Sequence, residues 1–153
     1  MDKKKLLEEL RKRFLQNGFQ EAVLVSKEES GYSQDRLVTA HRGFGKLAGE
    51  AKGSFFFFEE SGICLFACRL LLTEGLSEEL AFPLCTQASI ENAGLPLGAF
   101  AYEPSTSSLE YRFSQPISPG LSEEEILETA GSCVTLFLSV CENYVGQMSL
   151  SGL

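Results

Sequence analysis

Four consecutive phenylalanines open the stretch "FFFFEESGICLF", Phe55 to Phe66, which constrains the fold more than any other feature. The apolar run Ser54 to Phe58 is too short for a helix and is rich in β-forming residues. "EESG" has the composition of a turn, and apolar residues resume from Ile63 to Leu72. The stretch therefore predicts two antiparallel strands joined as a hairpin.

This hairpin is apolar on both faces. Because successive side chains of a strand point to opposite sides, Phe55 and Phe57 share one face while Phe56 and Phe58 share the other. Helices can cover one face, and an apolar face left without cover usually marks an interface. We therefore expect a second subunit or a client protein to contact part of this surface, and the alternative that the chain's own helices cover both faces stays open. The candidate partner-binding residues are Phe56, Phe58, Cys64 and Phe66 of the hairpin with Leu10 and Phe14 of the first helix.

Three helices are predicted around the hairpin. Leu6, Leu7, Leu10 and Phe14 recur at helical spacing before a stop at Gly18. A middle helix is predicted within Leu84 to Ala93, after a start signal at Ser77 and with Pro83 suited to its first turn. Ser122 and Glu125 have capping-box spacing and begin a long C-terminal helix. The apolar stripe of this helix favours packing in the core, and self-association along the stripe is the alternative. The stripe comprises Leu127, Ala130, Val134, Phe137, Cys141, Tyr144 and Met148.

The remaining strands complete an α+β fold. "EAVLVSK", Glu21 to Lys27, predicts a strand, and alternating residues around Phe100 and Tyr111 predict a second hairpin connected by Glu103 to Ser108. Residues 28–53 are rich in glycine, so we expect loops there with at most one short strand, at Arg36 to Thr39. The predicted architecture is one domain, residues 1–153: a single twisted antiparallel sheet with an N-terminal helix, a middle helix and a long C-terminal helix.

Charge and composition exclude several classes of protein. The net charge of −8 is uneven: residues 1–52 carry +3, while residues 53–153 carry −11 and hold only two basic residues, Arg69 and Arg112. Most of the chain would repel phosphates, so we expect no nucleic-acid binding. No stretch approaches the ~20 apolar residues of a membrane span. Five cysteines, an odd number within apolar runs, indicate buried thiols, and we expect a cytoplasmic protein.

Catalytic and ligand-binding motifs are weak. The single histidine, His41, lies in a glycine-rich region without a nucleophile motif, and no C-x-x-C pair suggests a metal site. "GFGKLAG", Gly43 to Gly49, lacks the spacing of phosphate-binding loops, although Arg42, Lys46 and Lys52 could hold an anion weakly. We therefore expect no enzyme activity, no cofactor and no metal.

A longer stretch, "SIENAGLPLGAFAYEPSTSSLEYRFSQPISPGLSEEEI", resembles the YbjN family, whose fold is similar to that of type III secretion chaperones. The resemblance covers about Ser54 to Met148 and is carried by Asn92, Leu95, Pro96, Gly98, Phe100, Pro104, Tyr111, Arg112 and Pro116.

The resemblance implies a homodimeric α+β sandwich that binds proteins without catalysis and holds an extended client against apolar patches on the sheet and first helix. We expect a chaperone-like or regulatory protein-binding module. Two alternatives remain: a dedicated type III secretion chaperone for one client, or a small-molecule or anion-binding regulator using His41, Arg42 and Lys46.

Overall fold

Two long strands, β3 (Glu50–Glu60) and β4 (Ile63–Thr73), form the central hairpin of the computed structural model, which describes residues 1–42 and 50–147. They lie in one six-stranded sheet of order β1-β2-β3-β4-β6-β5, in which all neighbours are antiparallel. The other strands are β1 (Ala22–Val25), β2 (Arg36–Arg42), β5 (Ala99–Glu103) and β6 (Ser108–Pro116). The helices are α1 (Lys3–Gln16), α2 (Lys27–Ser30), α3 (Glu78–Asn92) and α4 (Glu123–Asn143), followed by a 3-10 turn at Val145–Gln147.

The predicted α+β class and single antiparallel sheet are confirmed, and the helices cover one face of that sheet. Phe55 of β3 meets Phe14 of α1 edge-on at a centroid distance of 5.2 Å and Phe137 of α4 at 5.8 Å. Phe137 in turn stacks on Tyr111 of β6 at 5.3 Å. These rings join two helices to two strands, and the predicted stripe of α4 packs into the same core from Leu127 to Cys141. Tyr144, which was predicted to continue the stripe, follows the helix and is 47% exposed, and Met148 lies outside the described residues.

Ion pairs add to the contact between the first and last helices. Arg13 of α1 donates two hydrogen bonds to the Glu124 carboxylate, at 2.9 and 2.8 Å, and Lys5 lies 3.2 Å from Glu123. The capping box of α4 forms as predicted, because Ser122 and Glu125 each accept a hydrogen bond from the other's backbone N–H.

The predicted start of the middle helix was wrong. α3 begins at Glu78, directly after Ser77, rather than at Leu84. Pro83 therefore lies in the second turn, where it has no N–H to donate to the carbonyl of Glu79. The acidic residues of the first turn favour this earlier start, because the N-terminal end of a helix dipole attracts negative charge.

Within residues 28–53, the structure has more strand than predicted. The expected strand at Arg36 to Thr39 extends to Arg42, and β3 begins at Glu50 instead of Ser54. Gly53 pairs with Thr39 inside the sheet, where the absent side chain leaves room for Thr39 and His41. From the sequence alone, a glycine that allows close packing within a strand cannot be distinguished from a glycine in a loop.

The end of α3 is fixed to β5 and β6 by specific polar contacts. Asn92 accepts a hydrogen bond from the Phe100 N–H at 2.6 Å and donates one to the Phe100 carbonyl at 3.2 Å. The Tyr111 hydroxyl donates to the Leu97 carbonyl at 2.8 Å. Gly98 has a φ of +72°, and a Cβ there would come within 2.8 Å of the Tyr111 ring. Four residues that carry the family resemblance thus have structural roles.

We expect Asn92→Ala to lower the free energy of unfolding by about 1–3 kcal/mol. The part-buried backbone N–H and C=O of Phe100 would each lose the hydrogen bond that they make with the Asn92 side chain. Urea denaturation measures the change. Asn143→Ala is the matched control: Asn143 is exposed and bonds only within its own helix, so its effect should stay within about 0.5 kcal/mol. Equal effects of the two substitutions would show that Asn92 does not fix α3 to the sheet.

Candidate functional site: the open face of the sheet

The second face of the sheet, called here the open face, has no helix of the described residues packed against it. The helices bury their apolar residues in one core with the alternate strand residues Phe55, Phe57 and Phe66. Phe56 and Ala67 point the other way and are buried, but they lie outside that core. The open face is therefore the part of the fold where a further layer is missing.

Arginine side chains cover the centre of the open face. The Arg36 and Arg69 guanidinium carbons lie 4.3 and 4.9 Å from the centroid of the Phe56 ring. The Arg36 guanidinium also stacks on Tyr32 at 3.9 Å. These contacts have the geometry of cation–π interactions. Together with the Phe58 ring, whose centroid lies 5.8 Å away, they leave Phe56 only 1% exposed. The chain thus buries this phenylalanine without a helix and without a partner.

The six residues predicted to bind a partner do not form one surface. Leu10, Phe14 and Phe66 lie in the helix-covered core, and each is at least 96% buried. Cys64 packs against the same core and is partly exposed. Phe56 and Phe58 lie on the open face, where only Phe58 is partly exposed. Phe66 had to follow Phe57 to the covered face, because the two are register partners.

A row of three arginines, Arg36, Arg69 and Arg112, crosses the open face on β2, β4 and β6. Arg69 and Arg112 are direct partners in the β4–β6 register. Burial lowers the pKa of both Arg36 and Arg69, and the neighbouring guanidinium groups lower it further. The sequence analysis missed this arginine row. Its only signal was that both basic residues of 53–153 occur in predicted strands, which does not reveal that they are neighbours.

Glutamates balance part of this charge. Arg112 donates to Glu110 at 2.7 Å, and its terminal nitrogen lies 3.9 Å from Glu103. The Arg69 guanidinium has no ion pair or hydrogen bond with any described residue. The arginine row therefore keeps an excess of positive charge on a chain that is acidic overall.

A second surface missed by the sequence analysis lies on α3. Leu84 and Ala88 pack into the core, but Phe82 and Ile90 on the outer side are 78% and 69% exposed. Thr86 lies between them at helical spacing and is also exposed. An apolar outer side of this kind is typical of a helix that another surface covers.

The proposed grouping of His41, Arg42 and Lys46 is not supported by the described residues. His41 packs edge-on against Phe19 at 5.7 Å, and its Nε2 lies 2.6 Å from Thr39 Oγ1. The adjacent Arg42 points to the opposite side of the strand and pairs with Glu50 at 3.3 Å. Lys46 lies outside the described residues. A groove of about 620 Å³ beside His41 is also lined by Glu21, Glu50 and Glu142, whose charges disfavour an anion.

The described residues show no arrangement typical of nucleophilic catalysis. Thr39, the hydroxyl beside His41, is 1% exposed, so a substrate could not reach it. Burial raises the thiol pKa of Cys64, Cys68, Cys133 and Cys141, which is the opposite of thiolate activation. All five cysteines are unpaired.

Metal ligands and membrane-spanning helices are also lacking in the part of the chain that the structure describes. Residues 1–42 and 50–147 contain no group of three or more histidine, cysteine or acidic side chains placed to hold a metal ion. Across the same ranges, every helix is too short or too polar to cross a bilayer.

We expect Phe56→Ala to lower the free energy of unfolding by about 3–5 kcal/mol, as for a phenylalanine beneath a helix, because the two arginines and Phe58 leave its ring 1% exposed. Chemical denaturation measures this change. Ile63→Ala, at a 53% exposed position of the same hairpin, is the control and should change stability by less than about 1 kcal/mol. A small effect at Phe56 would mean that the arginines do not bury it in solution.

We expect His41 to make the protein less stable as the pH falls. Burial lowers the His41 pKa below its ordinary value of 6.5, so the unfolded chain binds this proton more readily than the folded chain. The stability that neutral His41 contributes is therefore fully present above pH 6.5. It is lost progressively as the pH falls from 6.5 towards the pKa of His41 in the folded chain. Urea midpoints should therefore fall more between pH 7.5 and 5.5 for the native chain than for His41→Gln. Parallel pH profiles of the two proteins would contradict the assignment.

Comparison with known proteins adds no relative. Models of known protein families give no match to this chain, and a search among curated proteins finds none with significant similarity. The resemblance to the YbjN family therefore stays a prediction.

Proposed function

We propose that this protein is a non-enzymatic module that binds other proteins, works as a homodimer, and holds an extended segment of a client in the manner of a chaperone or regulator. The observation that carries the proposal is the apolar outer side of α3, where Phe82 and Ile90 are largely exposed. The arrangement of helices and sheet found in type III secretion chaperones, which the family resemblance implies, is part of the same proposal.

The outer side of α3 suits contact with a second copy of the chain. Two copies of a protein with a net charge of −8 repel each other, so association is least opposed where the surface carries no charge. Phe82, Thr86 and Ile90 form such an uncharged strip along α3. Two α3 helices related by a twofold axis would bury identical strips against each other, which is the commonest geometry of a homodimer.

The client would occupy the opposite end of the sheet. Strand β1 lies at the edge, far from α3 in the strand order, and no strand among the described residues pairs with the outer side of its backbone. An extended peptide can add to such an edge through main-chain hydrogen bonds. On the open face beside this edge, Val23, Val25 and Val38 are at least partly exposed and would contact the client's apolar side chains.

An enzymatic or small-anion function has less support. His41 and Arg42 point to opposite faces of β2, and the thiols whose pKa is shifted are all made less acidic. A sheet face without a helix of the described residues and an uncharged helix strip instead favour contact with another protein.

We expect the native chain to elute at twice its mass of 16.8 kDa and the double variant Phe82→Glu/Ile90→Glu to elute as one chain. Introducing carboxylates on both sides of the twofold axis would place like charges in the interface. Size-exclusion chromatography with light scattering measures the masses. Both positions are exposed, so the variant should keep its fold, which circular dichroism checks.

Ile63→Glu is the matched control, because Ile63 is an exposed apolar residue on the β3–β4 hairpin, away from α3. It should remain dimeric. A native chain that stays monomeric at high concentration, or a double variant that stays dimeric, would overturn the assignment of α3 as the dimer surface.

A further inference from the structure

We infer that the arginine row of the open face, Arg36, Arg69 and Arg112, binds the carboxylates of an acidic segment of a partner protein. This inference deepens the proposed function, on which it rests, by giving the chemistry of a second part of the client, which would lie across the open face beside the part that pairs with β1. It concerns a surface separate from the α3 dimer strip.

The placement of the arginines is unfavourable for the isolated fold. Arg69 and Arg112 face each other across the β4–β6 register, and like charges directly opposite in a sheet are destabilising. They are also the only two basic residues of 53–153, a region that carries −11. Two cations side by side within so acidic a region are consistent with a requirement for a bound anion.

The donors of the arginine row are incompletely used. The Nε of Arg36 is buried and finds no hydrogen-bond acceptor among the described residues, and its Nη1 reaches Ser54 only at 3.4 Å. The Arg69 guanidinium also lacks a polar partner in the described ranges. Only Arg112 is paired, with Glu110 and Glu103. Since the Nε of Arg36 is buried, a ligand could reach chiefly the second terminal nitrogen of Arg36 and the guanidinium of Arg69, none of whose atoms is a buried donor.

Aromatic rings hold two of the guanidinium groups in position. Arg36 lies between Tyr32 and Phe56, and Arg69 lies over the same Phe56 ring. Stacking on a ring occupies the face of a guanidinium and leaves its N–H edge free for a carboxylate. Because the side chains are already ordered, binding loses less conformational entropy.

The spacing fits an extended peptide. Neighbouring strands lie about 4.8 Å apart, so the backbones at Arg69 and Arg112 are about 5 Å apart, and Arg36, two strands and two residues away from Arg69, is about 12 Å from it. Acidic side chains that alternate with others along an extended segment recur at about 7 Å, a spacing between these two arginine separations. Val38 and Val25, beside Arg36, can receive the apolar side chains between them.

A protein segment is favoured over nucleic acid as the occupant. Glu103 and Glu110 lie among the arginines and would repel a continuous phosphate backbone. A peptide can place its few carboxylates on the free guanidinium edges and avoid the glutamates. Phe56, the central ring, is 1% exposed and cannot stack on a base.

The test is a titration of the full chain into a fluorescein-labelled polyglutamate peptide, followed by fluorescence anisotropy, with a polyglutamine peptide of the same length as the control probe. We expect polyglutamate to bind at low salt and polyglutamine not to bind. Arg69→Gln should weaken binding about tenfold, since it removes charge-assisted hydrogen bonds. Arg13→Gln, an arginine of α1 paired with Glu124, is the control variant and should bind like the native chain.

Two further variants separate binding from folding. Arg69 also covers Phe56, whereas Arg112 has no contact with that ring, so Arg112→Gln should weaken binding as well without uncovering Phe56. It breaks the ion pairs with Glu110 and Glu103 but removes the repulsion between Arg112 and Arg69, so its urea midpoint should fall less than that of Arg69→Gln. Arg69→Lys keeps the charge without the planar donor fork and should bind more weakly than the native chain but more tightly than Arg69→Gln. Equal binding by the native chain, Arg69→Gln and Arg112→Gln would overturn the inference.

The mass of Phe82→Glu/Ile90→Glu and the titration of the native chain together distinguish this inference from the proposed dimer. If that variant is dimeric but the native chain binds polyglutamate through the arginine row, only the dimer assignment fails. If the native chain is dimeric but does not bind polyglutamate, this inference alone fails. Tighter binding of oligothymidylate than of polyglutamate, lost in Arg69→Gln, would also overturn it by assigning the arginine row to single-stranded nucleic acid.

Discussion

The twofold period of a β-strand is the constraint on which this structure depends, because it prevents four consecutive phenylalanines from pointing to one side. Phe55 and Phe57 enter the core under α1 and α4, and Phe56 must then face the side without a helix. Two arginines shelter that ring. Four phenylalanines in a row give one sheet face a large apolar core and leave Phe56 on the opposite face. There, guanidinium groups cover its ring.

Much of the architecture could be predicted from local patterns. The β3–β4 hairpin, the alternation of its faces and the cap of α4 follow from periodicity and from short-range hydrogen bonding, which a single sequence records. The start of α3 could not be predicted as easily, because Pro83 is common in first turns and tolerated here in a second turn. The start of β3 was missed because Gly53 serves packing against Thr39 instead of chain reversal.

The candidate site was less predictable than the fold, because it depends on strand register and on which face the helices choose. Alternation places Phe66 on one face of β4, but only its pairing with Phe57 shows that this is the covered face. Likewise, nothing local indicates that Arg69 and Arg112 become neighbours, or that Arg36 of the adjacent strand β2 reaches Phe56. The family resemblance does not supply this information, since Asn92 and Gly98 act in holding α3 against the sheet.

The contact between the first and last helices has a consequence for the newly made chain. Arg13 and Glu124 are 111 residues apart, and Phe55 completes its ring contacts only when Phe137 arrives from α4. During synthesis the amino-terminal half must therefore wait with its phenylalanines uncovered, as is expected where distant segments close a core late. Glu59 and Glu60 follow the phenylalanine run directly. Their charges would act as gatekeepers, discouraging neighbouring nascent chains from pairing along β3 before each chain can protect itself.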